Sequence, residues 1–147
     1  ILTSTPMSVV PEISASAVLL SALAAFFIGM LWYSPVMFSK SWIKSAGLSE
    51  KDLKKGGNAA MIRSMVLGLL SYALMAFVLA HFVDYLQIDN AKEGAVLGFW
   101  VWLGFVGTTQ LGSVLWEMKP LSYFLINTMY SLLVLVVMGA ILGHWPI

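Results

Sequence analysis

Residues 17–33 read AVLLSALAAFFIGMLWY, a run without a single charge, and the chain then meets Ser34-Pro35. A bilayer core about 30 Å thick needs about 20 apolar residues in a helix. This run comes close to that length, and Pro35, which lacks an N–H, should end the helix. The chain stays apolar beyond the proline, at Val36, Met37, Phe38 and Trp42, but Lys40 and Lys44 now alternate with these residues. Aromatic rings with polar tips prefer the headgroup level, so Trp32, Tyr33, Pro35 and Trp42 read as interfacial anchors. The segment after Pro35 reads as a short helix lying in the interface, its rings in lipid and its lysines at anionic headgroups.

Three further runs resemble the first. They cover about 59–83, 94–116 and 121–143, with the first span extended to 17–35. They are continuous and long, where strands would alternate over short segments. Pro35 and Pro120 fall only at span ends. The composition agrees: 60% of the chain is hydrophobic and 10% charged, with mean hydropathy +0.89. Soluble domains carry about a quarter charged residues. A chain of 147 residues has too little interior to hide so much apolar side chain from water. The expected fold is an all-α membrane protein: a four-transmembrane-helix bundle with a short interfacial helix between the first and second spans. Residues 1–16 form an extramembrane N-terminal segment, and 17–147 a single domain. The opening segment lacks a basic start and a long apolar stretch, so it is not an intact signal peptide. It reads as an extension left by processing or trimming.

The longest connection carries its own punctuation. Gly47 can stop a helix, Ser49-Glu-Lys-Asp52 reads as a capping box variant, and Gly56-Gly57-Asn58 breaks the chain before the second span. Lys40, Lys44, Lys51, Lys54, Lys55 and Arg63 flank this connection, and Lys119 lies in the third. The second connection holds only Lys92, beside three carboxylates. Seven cations against one place the first and third connections in the cytoplasm, or its equivalent, and both termini on the other side. The net charge of +1 offers no field for nucleic acid. Without cysteine there is no disulfide, thiol catalysis or thiolate metal site.

The chain also resembles a bacterial family of small four-span membrane proteins, domain of unknown function 1761. The resemblance rests on Leu31-Trp-Tyr-Ser-Pro35 with Phe38, Lys40 and Trp42, on Gly47-Leu-Ser-Glu50 with Asp52-Leu53, and on Trp102-Leu-Gly-Phe105. It continues through Ser113–Glu117, Asn127 with Tyr130, and Met138–Gly143 with Trp145. It covers about 17–145 and implies a bacterial inner membrane, with no activity to carry over. Family members begin close to the first span, so the longer N-terminal segment keeps a thylakoid or mitochondrial inner membrane open.

Several residues are candidates for function. Ionisable groups are costly within a membrane and mark sites by default. Arg63 lies one turn into the second span and Glu117 ends the third, on the same side. They are expected to form a polar cytoplasmic-side cluster with Asn127 and Tyr130. That cluster reads either as a vestibule for a headgroup or small anion, or as an ion pair with Arg63 snorkelling to the interface. Asn127 and Gln110 are expected to hydrogen-bond to neighbouring helices. His81 stands three residues from Asp84 on one helix face, with His144 on the same side of the membrane. These two histidines are the candidate ligands for a pigment or other cofactor, against the plainer reading of polar anchors. No motif indicates a metal or a particular cofactor; lipid or pigment contacts are the alternatives. Gly94, Gly98, Thr108 and Gly112 in the third span, with Gly139 and Gly143 in the fourth, are expected to form close helix-packing faces.

No nucleophile stands beside a base, and no phosphate loop or triad spacing occurs. Three functions follow in order. The first is a non-catalytic accessory or interaction subunit that packs against a larger membrane complex or its own copies. The second is a small-solute channel or carrier acting as an oligomer. The third is an intramembrane enzyme acting on lipid or quinone. The expected partners are membrane lipids and other membrane-protein subunits.

Overall fold

The computed structural model describes residues 11–145. The chain is all helical among these residues, and four helices are long and apolar enough to cross a membrane. They are α1 (Ala15–Trp32), α4 (Gly57–Tyr85), a composite third span (Ala91–Leu115) and α8 (Leu121–His144). The first connection holds α2 (Ser39–Ala46) and α3 (Glu50–Leu53). The third span consists of α5 (Ala91–Val101), a π-helical turn (Trp102–Gly107), α6 (Thr108–Gln110) and α7 (Gly112–Leu115).

Local chemistry sets the ends. Ser14 caps α1 by accepting from the Ala17 N–H. Ser34 closes the other end, its hydroxyl donating to the Leu31 carbonyl at 2.6 Å. Gly47 stops α2 with φ at 73°, the left-handed conformation glycine adopts without a Cβ penalty. Ser49 and Asp52 form both bonds of the capping box on α3, at 2.8 and 3.2 Å. Asn90 caps α5 by accepting from the Glu93 N–H, and Pro120 stands immediately before α8.

α8 is the hub and packs against α1, α2, α4 and α5. The core between α1, α4 and α8 is built from small side chains, Ala17, Ala25 and Ala76, closed by Val134 and Met138. Without a hydrophobic driving force between helices in lipid, close van der Waals packing must hold them, and alanine permits the approach. The α5–α8 contact goes further. A Cβ on Gly94 would collide with the Gly139 carbonyl oxygen, and one on Gly139 with that of Gly94. A Cβ on Gly98 would collide with the Leu135 carbonyl oxygen, and one on Gly143 would lie 2.5 Å from that of Asn90. The two glycine pairs expected from the sequence therefore face one another within the chain, backbone on backbone.

Candidate functional site

Beyond Gly98 the close packing gives way. The register set by Gly94 on Gly139 and Gly98 on Leu135 would, if continued straight, bring Gln110 beside Tyr123. Instead the Gln110 amide accepts from Thr128 Oγ1 at 2.8 Å and donates to Ser131 Oγ at 3.4 Å, more than one turn of α8 deeper. The π turn, Trp102–Gly107, lies between the two registers and contributes to the displacement. Its wider coil uses more residues per turn and advances the chain less, as such bulges do at functional sites. Trp102 opens this turn, and its indole N–H donates to the Thr128 carbonyl at 2.8 Å. Thr108 and Thr109 follow it, their hydroxyls donating back to the Gly104 and Phe105 carbonyls at 2.8 and 2.6 Å. Such back-bonding bends helices. Thr108 is exposed. The 100° spacing that groups Thr108 with Gly94 and Gly98 does not survive a π turn. Gly112 likewise leaves the packing face and lines a cavity.

That cavity, about 600 Å³, lies between the end of the third span and α8. Thr109, Gln110 and Ser113 form one wall, and Asn127, Thr128 and Ser131 the opposite one. Trp116, Glu117, Tyr123 and Phe124 line it further, with Tyr33 and Tyr72 reaching in from α1 and α4. It sits at the lysine-rich end of the bundle, where the first and third connections meet. There Lys119 donates to the Ala46 carbonyl at the end of α2, at 3.0 Å.

The tyrosines organise the cavity floor. Tyr33 donates its hydroxyl to Asn127 Oδ1 at 2.7 Å. Tyr130 is buried, its hydroxyl donating to the Ala25 carbonyl at 2.9 Å and sharing a 2.6 Å hydrogen bond with the Tyr72 hydroxyl. Gly29 makes this reach possible, since a Cβ there would lie 2.7 Å from the Tyr130 oxygen. The Tyr33 and Tyr130 rings meet edge to face, centroids 5.3 Å apart, an arrangement that favours aromatic pairs. Two more cavities adjoin this group. One of about 520 Å³ lies under α2 and shares Tyr33, Tyr123 and Asn127. The other, about 590 Å³, lies between α1 and α4 and shares Tyr33, Tyr72 and Tyr130.

The residues singled out by sequence divide clearly. Asn127, Tyr130 and Glu117 line the main cavity together. Arg63 does not; it is exposed on α4 and contributes to none of the three cavity walls. The expected Arg63–Glu117 pairing is therefore not part of this site. The third span, which carries Glu117 at its end, packs on α8 and barely touches α4. Trp32 and Tyr33 both turn to α8. The Trp32 indole donates to the Ile126 carbonyl at 3.0 Å, and its ring lies 4.6 Å from Phe38. Trp42 packs edge on against Tyr33, centroids 5.7 Å apart. Pro35 is exposed. In α2, Lys40 and Lys44 are exposed while Trp42 and Ile43 line the cavity beneath it. The helix is two-sided as expected, but Phe38 and Trp42 pack on Trp32 and Tyr33 of the bundle where the sequence reading put these rings in lipid.

His81 bonds only locally, its Nδ1 lying 2.8 Å from the Phe77 carbonyl and its ring against Phe77 at 4.6 Å. His144 is exposed at the end of α8. Among the described residues no three histidine or acidic side chains come together as a metal-holding group. Sequence reasoning missed Tyr72, Tyr123 and the inward turn of Trp102. The available signal was a phenol at mid-span in α4, since a hydroxyl within a membrane needs a partner.

These features define a class: a four-helix membrane bundle with a polar, aromatic-lined cavity at one end. Residues 16–143 match the family model described as "Protein of unknown function (DUF1761)", so the chain belongs to that family. Nothing among curated proteins or solved structures matches the chain.

Proposed function

We propose that the protein is a non-catalytic binding protein or carrier for a small solute, which it holds in the cavity between the third span and α8. One observation carries this reading. Six polar side chains of the third and fourth spans, Thr109, Gln110, Ser113, Asn127, Thr128 and Ser131, line one cavity of about 600 Å³, within the range of 300–1,000 Å³ usual for small-molecule sites. Polar groups at membrane depth are costly, so their concentration around one space favours a ligand there. The lysine-rich end faces the cytoplasm in this reading, by the cation asymmetry of the connections, and both termini face the other side. A bacterial inner membrane is the location that the family resemblance favours.

The test is native mass spectrometry of the full chain extracted in mild detergent from its own membrane. A small molecule should accompany the wild type and be lost in Gly112→Phe. Gly112 lines the cavity, and a Cβ there meets nothing closer than Trp116 Cδ1 at 3.8 Å, so a side chain can start there without a backbone clash and its ring takes up cavity space. A wild type that carries no such molecule, or a variant that keeps it, would overturn the reading.

A second reading, the accessory subunit of a larger complex, is favoured by the gap between α4 and α5. Leu74, Val78, Phe82, Val101 and Leu135 line an apolar groove there of about 350 Å³. The glycine pairs no longer argue for a partner, because they are used within the chain. In the same spectra, arrival inside a hetero-assembly would support this second reading, and arrival alone or as a homo-oligomer would count against it.

A further inference from the structure

We propose that the solute is an organic cation, an amine or quaternary ammonium group held by tyrosine and tryptophan rings with Glu117 as its counter-charge. The inference rests on the binding reading above and adds the chemical class. Among the described residues, Glu117 is the only one lining the main cavity that carries a formal charge at neutral pH, and the two adjoining cavities add none. Among the described residues no lysine, arginine or histidine lines any of the three, although this end of the protein holds most of its cations. An anion would enter a space with a carboxylate and no cationic partner. A cation would find that carboxylate and a wall of aromatic rings.

The rings strengthen the argument. Tyr33, Tyr72, Tyr123 and Tyr130 line the space with Trp116 and Phe124. Aromatic faces carry the negative part of the ring quadrupole and attract ammonium groups, most strongly where water is excluded. The protein displays one such contact: the Lys119 ammonium lies 5.5 Å from the Tyr123 ring centroid. That lysine is tethered outside the cavity by its bond to the Ala46 carbonyl, where a helix C-terminus accommodates positive charge. It leaves the inner rings and Glu117 free of an internal cation. Neutral hydroxyls and amides on the remaining wall can accept from, or lie beside, the rest of the molecule without imposing charge.

The test uses three probes of one shape and different charge: choline, its neutral carbon isostere 3,3-dimethylbutan-1-ol, and the anion 3,3-dimethylbutanoate. Binding to the purified full chain is read by calorimetry and by tryptophan fluorescence. Choline should bind, with the neutral isostere about ten-fold weaker or worse and the anion weaker still. Glu117→Gln should reduce that preference by about ten-fold while leaving the neutral probe unchanged. Because Glu117 is exposed, this variant should fold normally. Gly112→Phe should abolish choline binding. Equal binding of choline and the neutral isostere to wild type would overturn the cation class and leave the binding reading standing. So would failure of all three probes in a protein that still carries a native small molecule lost in Gly112→Phe. Failure of all three with no such molecule present would overturn both.

Discussion

Replacing Gly94 by alanine tests the backbone contact that joins the third span to α8. The added Cβ would overlap the Gly139 carbonyl oxygen, and it would stand 3.2 Å from the Gly143 Cα. Neither obstacle is the end of a flexible side chain, so the helices must part. Restoring ordinary contact requires about 1.5 Å of separation, and a gap of even about 0.5–1 Å forfeits about a quarter to a half of each dispersion contact. The α5–α8 interface is the most extensive in the protein, and packing of this kind is what holds membrane helices together. The expected cost is about 2–3 kcal/mol, at the upper part of the range for overpacked cores. Gly68→Ala is the matched control. It lies within α4 with nothing within 4 Å of an added Cβ, so better helix propensity should stabilise it by up to about 1 kcal/mol. Unfolding of the full chain in mixed micelles, titrated with dodecyl sulfate and followed by circular dichroism, gives both values. Gly94→Ala combined with Gly139→Ala should cost less than the sum of the two single changes, because each Cβ strikes the other glycine's carbonyl and one separation relieves both. If Gly94→Ala falls within about 0.5 kcal/mol of Gly68→Ala, the close approach is not what holds these helices.

Tyr130→Phe removes the donor to Ala25 and the partner of Tyr72 and should cost about 1–2 kcal/mol in the same titration; Tyr72→Phe added to it should then cost almost nothing more. Asp52 offers a pH prediction outside the membrane. The Ser49 backbone N–H and hydroxyl bond its carboxylate and hold the group below the usual carboxylate range. Since the folded-state value is depressed, the cap's contribution is present above the unfolded value of about 3.9 and is lost as pH falls through the folded value. The Asp52 side-chain resonance should titrate below that of an unpaired aspartate, and Ser49→Ala should bring it part of the way back; an unchanged midpoint would remove the hydroxyl from the account. Orientation can be read cleanly because the chain has no cysteine. A membrane-impermeant thiol reagent outside intact cells should label Asp89→Cys and reach Glu50→Cys only after lysis; the reverse pattern would invert the topology.

Much of the fold was legible because it rests on short-range rules. Run length and missing charge identify four spans, since no neighbour can change the thickness of a bilayer. Gly47, the Ser49–Asp52 box and Pro120 mark ends through chemistry confined to one turn, and they act there as expected. The Gly94–Gly98 and Gly139–Gly143 spacing signals close packing, and the structure supplies its partner: one pair lies on the other. Asn127 and Tyr130 stood out because polar atoms inside a membrane need partners.

Tertiary structure alone decided where the amphipathic groups turned. Trp32 and Tyr33 carry polar tips that suit a headgroup and a helix carbonyl equally well, so nothing in their own sequence could choose between them. The neighbouring α8, with the Ile126 carbonyl and the Asn127 amide within reach, made the choice. Arg63 and Glu117 share one end of the bundle by topology but not one wall, because the third span packs on α8 and leaves α4. The π turn at Trp102–Gly107 is likewise invisible to a reading that assumes 100° per residue. It forms where an indole and a glutamine amide find partners on α8 and two threonine hydroxyls bond back to carbonyls of their own helix. Spacing along one helix determined which residues could share a face, and the cavity exists because contacts between two helices broke that spacing.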